Sequence, residues 1–200
     1  RFAAAFDMVP APAATEMIAR ADVSTMTHFS FHGGMGLAML AFSIHEGSTV
    51  FDVPGGKIAS TRFASQIDEL ARGDAWGCMD ITEPDAGSDV GAGRTKARHI
   101  EGEIYEIEGT KRFITNAPEA GLFTVFARTG RGISAFLVER DAPGLSVGPA
   151  DHKMGQQGTH TADVILDNCR IPVSSLLGEE GQGLKIALSG LEGGRIGIAA

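Results

Sequence analysis

Residues 80–89 read Asp80-Ile81-Thr82-Glu83-Pro84-Asp85-Ala86-Gly87-Ser88-Asp89, and residues 111–116 read Lys111-Arg112-Phe113-Ile114-Thr115-Asn116. The first stretch follows a short apolar segment and packs Pro, Gly, Ser and Asp together. A loop of that kind after a strand offers backbone N–H groups and hydroxyls to an anionic or heteroaromatic ligand. Thr82 and Ser88 each bring one donor and two acceptor lone pairs. Gly87 lets a ligand come close to the backbone. Pro-Asp and Gly-Ser are also turn formers, so composition alone favours a plain surface loop. The second stretch ends a strand in a hydroxyl and an amide, with an aromatic ring two residues earlier. A ring beside a polar tip suits a flat heterocycle. Alone it reads as strand core followed by a turn.

Outward from these two blocks, the chain divides into three textures. Residues 75–178 carry short segments rich in Val, Ile, Phe and Thr. Strands are expected at Glu103–Glu108, Lys111–Thr115, Leu122–Arg128, Ile133–Glu139, Leu145–Val147 and Ala162–Asp167. Gly109-Thr110, Gly130, Gly132, Pro143-Gly144 and Asp167-Asn168 are expected to turn the chain between them. Short strands at such spacing suggest a sandwich or barrel, and no helical stretch interrupts them to build a parallel βαβ sheet. Residues 1–74 read as helical, with helices expected over Glu16–His28 after a Thr15 cap, Gly36–His45, and Lys57–Arg72 ending at Gly73. Gly33-Gly34 and Gly55-Gly56 mark the breaks. Residues 179–200 resume a helical pattern, in which Gly193-Gly194 costs roughly 1 kcal/mol per glycine relative to alanine. Either something approaches the backbone there or two helices meet. The opening at Arg1 and the helical pattern at Ala200 read as truncated ends.

Composition excludes several classes. At 200 residues, 43% hydrophobic and 21% charged, the chain is ordinary globular material with enough length for a core. Its net charge of -8 counts against a nucleic-acid partner. Arg94, Lys96, Arg98, Lys111 and Arg112 are read as a solvated strand face. Two cysteines suggest neither a disulfide framework nor a metal site, and they fit a reduced intracellular protein. His28 and His32 have the spacing of a helical metal pair. Phe29 stands where a zinc hydrolase needs glutamate, so no metal site is assigned. No apolar run is long enough to span a membrane, and no signal peptide is visible.

Taken together, Thr82–Asp89 and Lys111–Asn116 resemble the acyl-CoA dehydrogenase family. That family has a Thr-Glu-Pro-x-Ala-Gly-Ser-Asp block followed by a Lys-x-Trp/Phe-Ile-Thr-Asn block. Gly132–Val138, Pro143-Gly144-Leu145, Lys153-Met154-Gly155 and the run from Val173 through Leu177-Gly178-Glu179 extend the match over residues 76–200. The resemblance implies an α+β fold, with the end of an N-terminal helical domain at 1–74. A flavin-binding β-barrel domain would span 75–178, and a C-terminal helical bundle would start at 179–200. It implies FAD as cofactor, lined by Met79, Asp80, Ile81, Thr82, Glu83, Pro84, Asp85, Ala86, Gly87 and Ser88. Thr82 would hydrogen-bond the pyrimidine side of the ring. Phe113, Ile114 and Thr115 would pack on it, with Thr115 near N5. Phe113 lacks the indole N–H of the tryptophan that many members carry. Ser88 would also touch the acyl-CoA, together with Glu192, Gly193, Gly194 and Arg195.

The reaction so implied is α,β-dehydrogenation of an acyl-CoA thioester. A carboxylate takes the Cα proton while Cβ gives hydride to flavin N5. The base is not expected in this chain: one family position falls on Gly194, and the other lies beyond Ala200. An electron-transfer flavoprotein as acceptor, a dimer or tetramer, and a bacterial cytoplasm or a mitochondrial matrix are further implications. An acyl-CoA oxidase and a non-catalytic or DNA-associated flavoprotein of the same fold are the alternatives.

Overall fold

The computed structural model of the protein describes residues 10–30, 51–52, 57–58, 63–188 and 191. Two helices open it, α1 (Pro10–Ala21) and α2 (Val23–Ser30). The sequence pattern predicts one helix over Glu16–His28. The chain instead starts helical at Pro10 and breaks at Asp22. The Asp22 carboxylate accepts the Ser24 and Thr25 amides at 3.3 and 2.8 Å, an N-cap that starts a second helix. Gly36–His45 and both glycine pairs before residue 57 lie outside the described residues, as do His32 and the His28 side chain.

The helix expected over Lys57–Arg72 is shorter. Lys57–Ile58 is a strand (β2) paired antiparallel with Phe51–Asp52 (β1). Helix α3 covers Ala64–Arg72. Phe63, Ile67 and Leu70 fall on one face of this turn and helix and are 6%, 1% and 2% exposed. Each such side chain contributes roughly 1.5–3 kcal/mol by leaving water. Gly73 stops the helix at φ 79°, a left-handed C-cap that its missing Cβ makes cheap.

The remaining elements form one eight-stranded sheet. Its strands are β3 (Gly77–Asp80), β4 (Lys96–Ile100), β5 (Ile104–Thr115), β6 (Leu122–Thr129), β7 (Gly132–Glu139), β8 (Leu145–Val147), β9 (Thr161–Pro172) and β10 (Leu176–Leu177). The hydrogen-bonded path runs β10-β7-β6-β4-β5-β9-β8, with β3 joined to β6. Among the described residues the ends of this path do not pair with each other, so the expected barrel does not close there. Most neighbours are antiparallel, but β3 runs parallel to β6 from Gly77 opposite Leu122 to Asp80 opposite Val125.

Burial explains the central strands. Leu122 to Ala127 of β6 and Ser134 to Val138 of β7 are buried without alternation, because both faces of the sheet are covered. One face carries a core of Phe123, Val125, Phe136, Val138, Ile107 and Val164. The other packs Leu122, Phe126, Leu137 and Met79 against α3, Leu177 and Ile186. Residues 183–188 are helical, in line with the sequence pattern.

Gly109-Thr110 does not turn the chain. Residues Ile104 to Thr115 are one strand, paired with β9 through two register shifts. At the first, β9 carries an extra residue and Asn168 takes φ 50°. Asp167-Asn168 is therefore a bulge and not a gap between strands. Gly109 is required by crowding: a Cβ there would collide with the Thr95 hydroxyl and lie 2.8 Å from Thr95 Cα. The loop at 152–160 joins the sheet to α2. The Thr159 hydroxyl donates to the Ser24 carbonyl at 2.6 Å, and the Thr27 hydroxyl donates to Gln156 Oε1 at 2.9 Å.

Candidate functional site

The end of β3 leads directly into the Thr82–Asp89 loop. Glu83-Pro84-Asp85-Ala86 closes a tight turn, with the Glu83 amide donating to Ala86 O at 2.9 Å and the Ala86 amide to Glu83 O at 3.2 Å. Proline at the second position presets the φ that such a turn needs. The Glu83 side chain folds back inside and is 8% exposed. Its carboxylate accepts the Arg94 amide at 2.6 Å, the Thr95 amide at 3.1 Å and the Lys111 ammonium at 2.8 Å. Burial opposes ionisation here. The bonds from Lys111, Thr95 and Arg94 outweigh it and hold the Glu83 carboxyl below its ordinary range.

Lys111 is 1% exposed, so the reading of it as part of a solvated face is overturned. Alternation along β5 puts Tyr105, Ile107 and Lys111 on the buried side. Arg94, Lys96 and Arg98 do sit on the surface. The Glu83–Lys111 pair thus joins the two motif blocks inside the sheet. The small Gly109 lets Thr95 lie against β5, where Glu83 collects two successive amides.

Beneath the loop, Asp80 is 0% exposed. The Cys78 thiol donates to Asp80 Oδ1 at 3.1 Å, while Oδ2 is buried with no hydrogen-bond partner among the described residues. Burial pushes the Asp80 carboxyl up to about 7, against the pull of the Cys78 hydrogen bond and the Lys111 charge. The Cys78 thiol is driven well up by burial and by Asp80.

The outer layer is different. The Arg112 amide donates to the Thr82 carbonyl at 2.9 Å and sets the first loop against the second block. At the second register shift β5 carries an extra residue between Lys111 and Ile114, and Phe113 takes φ 58° there. A bulky side chain in the left-handed region is strained, and such strain collects at ligand sites. The bulge turns the Phe113 ring outward, to 59% exposure. Thr82 and Thr115 are half-buried, and no side-chain hydrogen bond among the described residues engages either hydroxyl. Asn116 ends the strand at φ 70°, its carbonyl accepting the Ala120 amide at 2.8 Å.

The residues singled out in the sequence therefore divide by depth. Met79, Asp80, Glu83, Ala86 and Ile114 are buried, Ile81, Thr82 and Thr115 stand at the boundary, and Pro84, Asp85, Gly87, Ser88 and Phe113 are exposed. A Cβ at Gly87 would meet nothing within 4 Å, so no neighbouring residue demands glycine there. Glu192, Gly193, Gly194 and Arg195 lie outside the described residues. The sequence pattern does not mark the Lys111 anchor, the Thr95 and Arg94 amides, or the partner of Arg112, Asp163. Among the described residues no group of His, Cys, Asp or Glu has the arrangement of a metal site. No helix among them is long and apolar enough to cross a membrane.

An exposed aromatic ring on a bulge of β5, two threonine hydroxyls that no side-chain hydrogen bond engages among the described residues and a polar turn thus lie on the outer side of the two blocks. Residues 78–169 match the family model described as acyl-CoA dehydrogenase, middle domain. The chain belongs to the acyl-CoA dehydrogenase family. It is 48% identical over 139 residues to the human mitochondrial short-chain specific acyl-CoA dehydrogenase, covering 67% of this chain and 34% of the relative. The chain thus spans about a third of the length of that relative. Butyryl-CoA dehydrogenase from Megasphaera elsdenii superposes with a TM-score of 0.81 at 31% identity, over 96% of this chain and 48% of that one. Acyl-CoA dehydrogenase complexed with FAD from Bacillus anthracis gives a TM-score of 0.81 at 31% identity, over 96% of this chain and 31% of that one.

Proposed function

We propose that the protein dehydrogenates an acyl-CoA thioester between Cα and Cβ, and that residues 75–178 form the domain that holds its FAD. The observation that carries this reading is Phe113, an exposed aromatic ring strained into the left-handed region, in the same two blocks as Thr82 and Thr115, whose hydroxyls no side-chain hydrogen bond among the described residues engages. Those residues fit the flavin: Phe113 offers a face to the ring system, while Thr82 and Thr115 offer hydroxyls to its polar edge. When bound, FAD supplies the acceptor for the Cβ hydride. The chain's own part is to orient. Glu83 and Lys111 hold the two blocks rigid from within, so the groups above them are placed before a ligand arrives. Ser88, exposed on the loop, is assigned to the acyl-CoA, as are Glu192, Gly193, Gly194 and Arg195. The base that removes the Cα proton is assigned to residues beyond Ala200, and an electron-transfer flavoprotein is the proposed acceptor for a protein that works as a dimer or tetramer.

The test is the visible spectrum of the full-length protein, recorded without oxygen before and after adding acyl-CoAs of several chain lengths. Yellow protein that bleaches with one of them is the expected result. Yellow protein that never bleaches keeps the FAD site and removes the dehydrogenase activity. A colourless protein that cannot be reconstituted with FAD sinks both.

A further inference from the structure

The Phe113 ring is not held by the core. Its one described ring contact is the Arg112 guanidinium, whose carbon stands 4.8 Å from the ring centroid. That cation is fixed in turn. Arg112 Nη1 donates to Asp163 Oδ2 at 2.8 Å from the neighbouring strand β9, and the Arg112 backbone is pinned to Thr82 O. Asp163 and Arg112 are partly shielded, at 29% and 41% side-chain exposure. A guanidinium is planar, permanently charged and able to stack on a ring while bonding a carboxylate at its edge. The three side chains form a row of Asp163, Arg112 and Phe113, with most of the ring left uncovered.

We infer that Arg112 is a positioning residue for the cofactor: oriented by Asp163, it backs one face of the Phe113 ring and holds the other toward the flavin. This role rests on the flavin reading above and deepens it. An exposed ring on a strained bulge is otherwise free to rotate about its side-chain torsions, and freezing that motion at binding costs affinity. Arg112 removes that cost beforehand. Its effect must therefore pass through the Phe113 ring, which distinguishes it from a salt bridge that merely holds β5 to β9.

The experiment is a double-mutant cycle in the full-length protein, read as FAD dissociation constant from flavin fluorescence, with variants R112L, F113L and R112L/F113L. R112L is expected to weaken FAD roughly two- to fivefold in the native background and to have no effect in the F113L background. R112K, which keeps the cation without the fork, should recover part of the loss. Equal weakening in both backgrounds, or none in either, overturns the positioning role. F113L binding FAD as well as the parent would overturn the flavin reading at Phe113 itself, a separate outcome. Should R112L not fold, D163N frees the guanidinium while retaining both ring and charge. It is expected to weaken FAD only where Phe113 is present, and an unchanged or Phe113-independent constant overturns the role equally.

Discussion

Glu83 and Phe113 belong to the two sequence blocks that carry the family resemblance, yet they sit under opposite physical rules. Glu83 is buried and accepts hydrogen bonds from three separate donor groups. Phe113 is exposed, strained at φ 58° and held by one cation. The first behaves as a fold-holding residue that happens to be charged. The second is a residue the fold carries at a cost. The difference teaches that a motif is not one functional object. Its inner half fixes the backbone, and its outer half faces the ligand. Substitutions should therefore separate cleanly into those that unfold the protein and those that leave it folded but unable to bind.

The largest effect is expected at Lys111. K111M leaves the Glu83 carboxylate buried without a countercharge, which should cost about 3–5 kcal/mol of stability. The double variant K111M/E83Q removes both charges and should lose clearly less than K111M alone. Urea unfolding of the full-length protein reads both. A double variant no better than the single one would mean that the ion pair is incidental to the inner half.

Asp80 gives the next effect, and its sign depends on pH. Its carboxyl is raised from 3.8 to about 7 in the fold, so folding takes up a proton between those values. Asp80's favourable contribution is fully present below about pH 4, declines as pH rises to about 7, and stays lost above that. D80N, uncharged throughout, should therefore gain on the parent by on the order of 2–4 kcal/mol at pH 8 and by much less at pH 5. Denaturant midpoints at the two pH values decide it. A gain independent of pH would show that the carboxyl is not the titrating group.

Much of this fold is legible in the amino-acid sequence, for reasons that differ by residue. Strands β6 and β7 declare themselves through nearly continuous apolar runs, interrupted only by the small hydroxyls of Thr124 and Ser134, because a strand covered on both faces has no polar side to show. The two blocks are legible because Pro84 and Gly87 punctuate a loop and Thr115-Asn116 ends a strand. Lys111 misleads because a charge normally implies solvent, although counting by twos from Tyr105 and Ile107 places it inward. Gly109 and Asn168 mislead because the residues that suit turns also suit bulges and close strand contacts. The break at Asp22 is hidden because one carboxylate capping the next helix leaves the apolar pattern on both sides intact. Whether the sheet closes depends on which distant edges meet, and no local pattern records that.

The smallest effect is the most informative about the outer half. F113G relieves a left-handed conformation that suits glycine and few other residues, which should stabilise by roughly 1 kcal/mol. Loss of the ring's contact with Arg112 offsets about 0.5 kcal/mol of that. The net change in unfolding free energy is therefore expected to be near zero or slightly positive. FAD affinity should nevertheless fall roughly tenfold, because the stacking face is gone. Stability and affinity would then move independently at Phe113, whereas at Lys111 both collapse together. A destabilisation above about 1 kcal/mol in F113G would place the ring among the residues that hold the fold, and the division between inner and outer halves would fail at its clearest point.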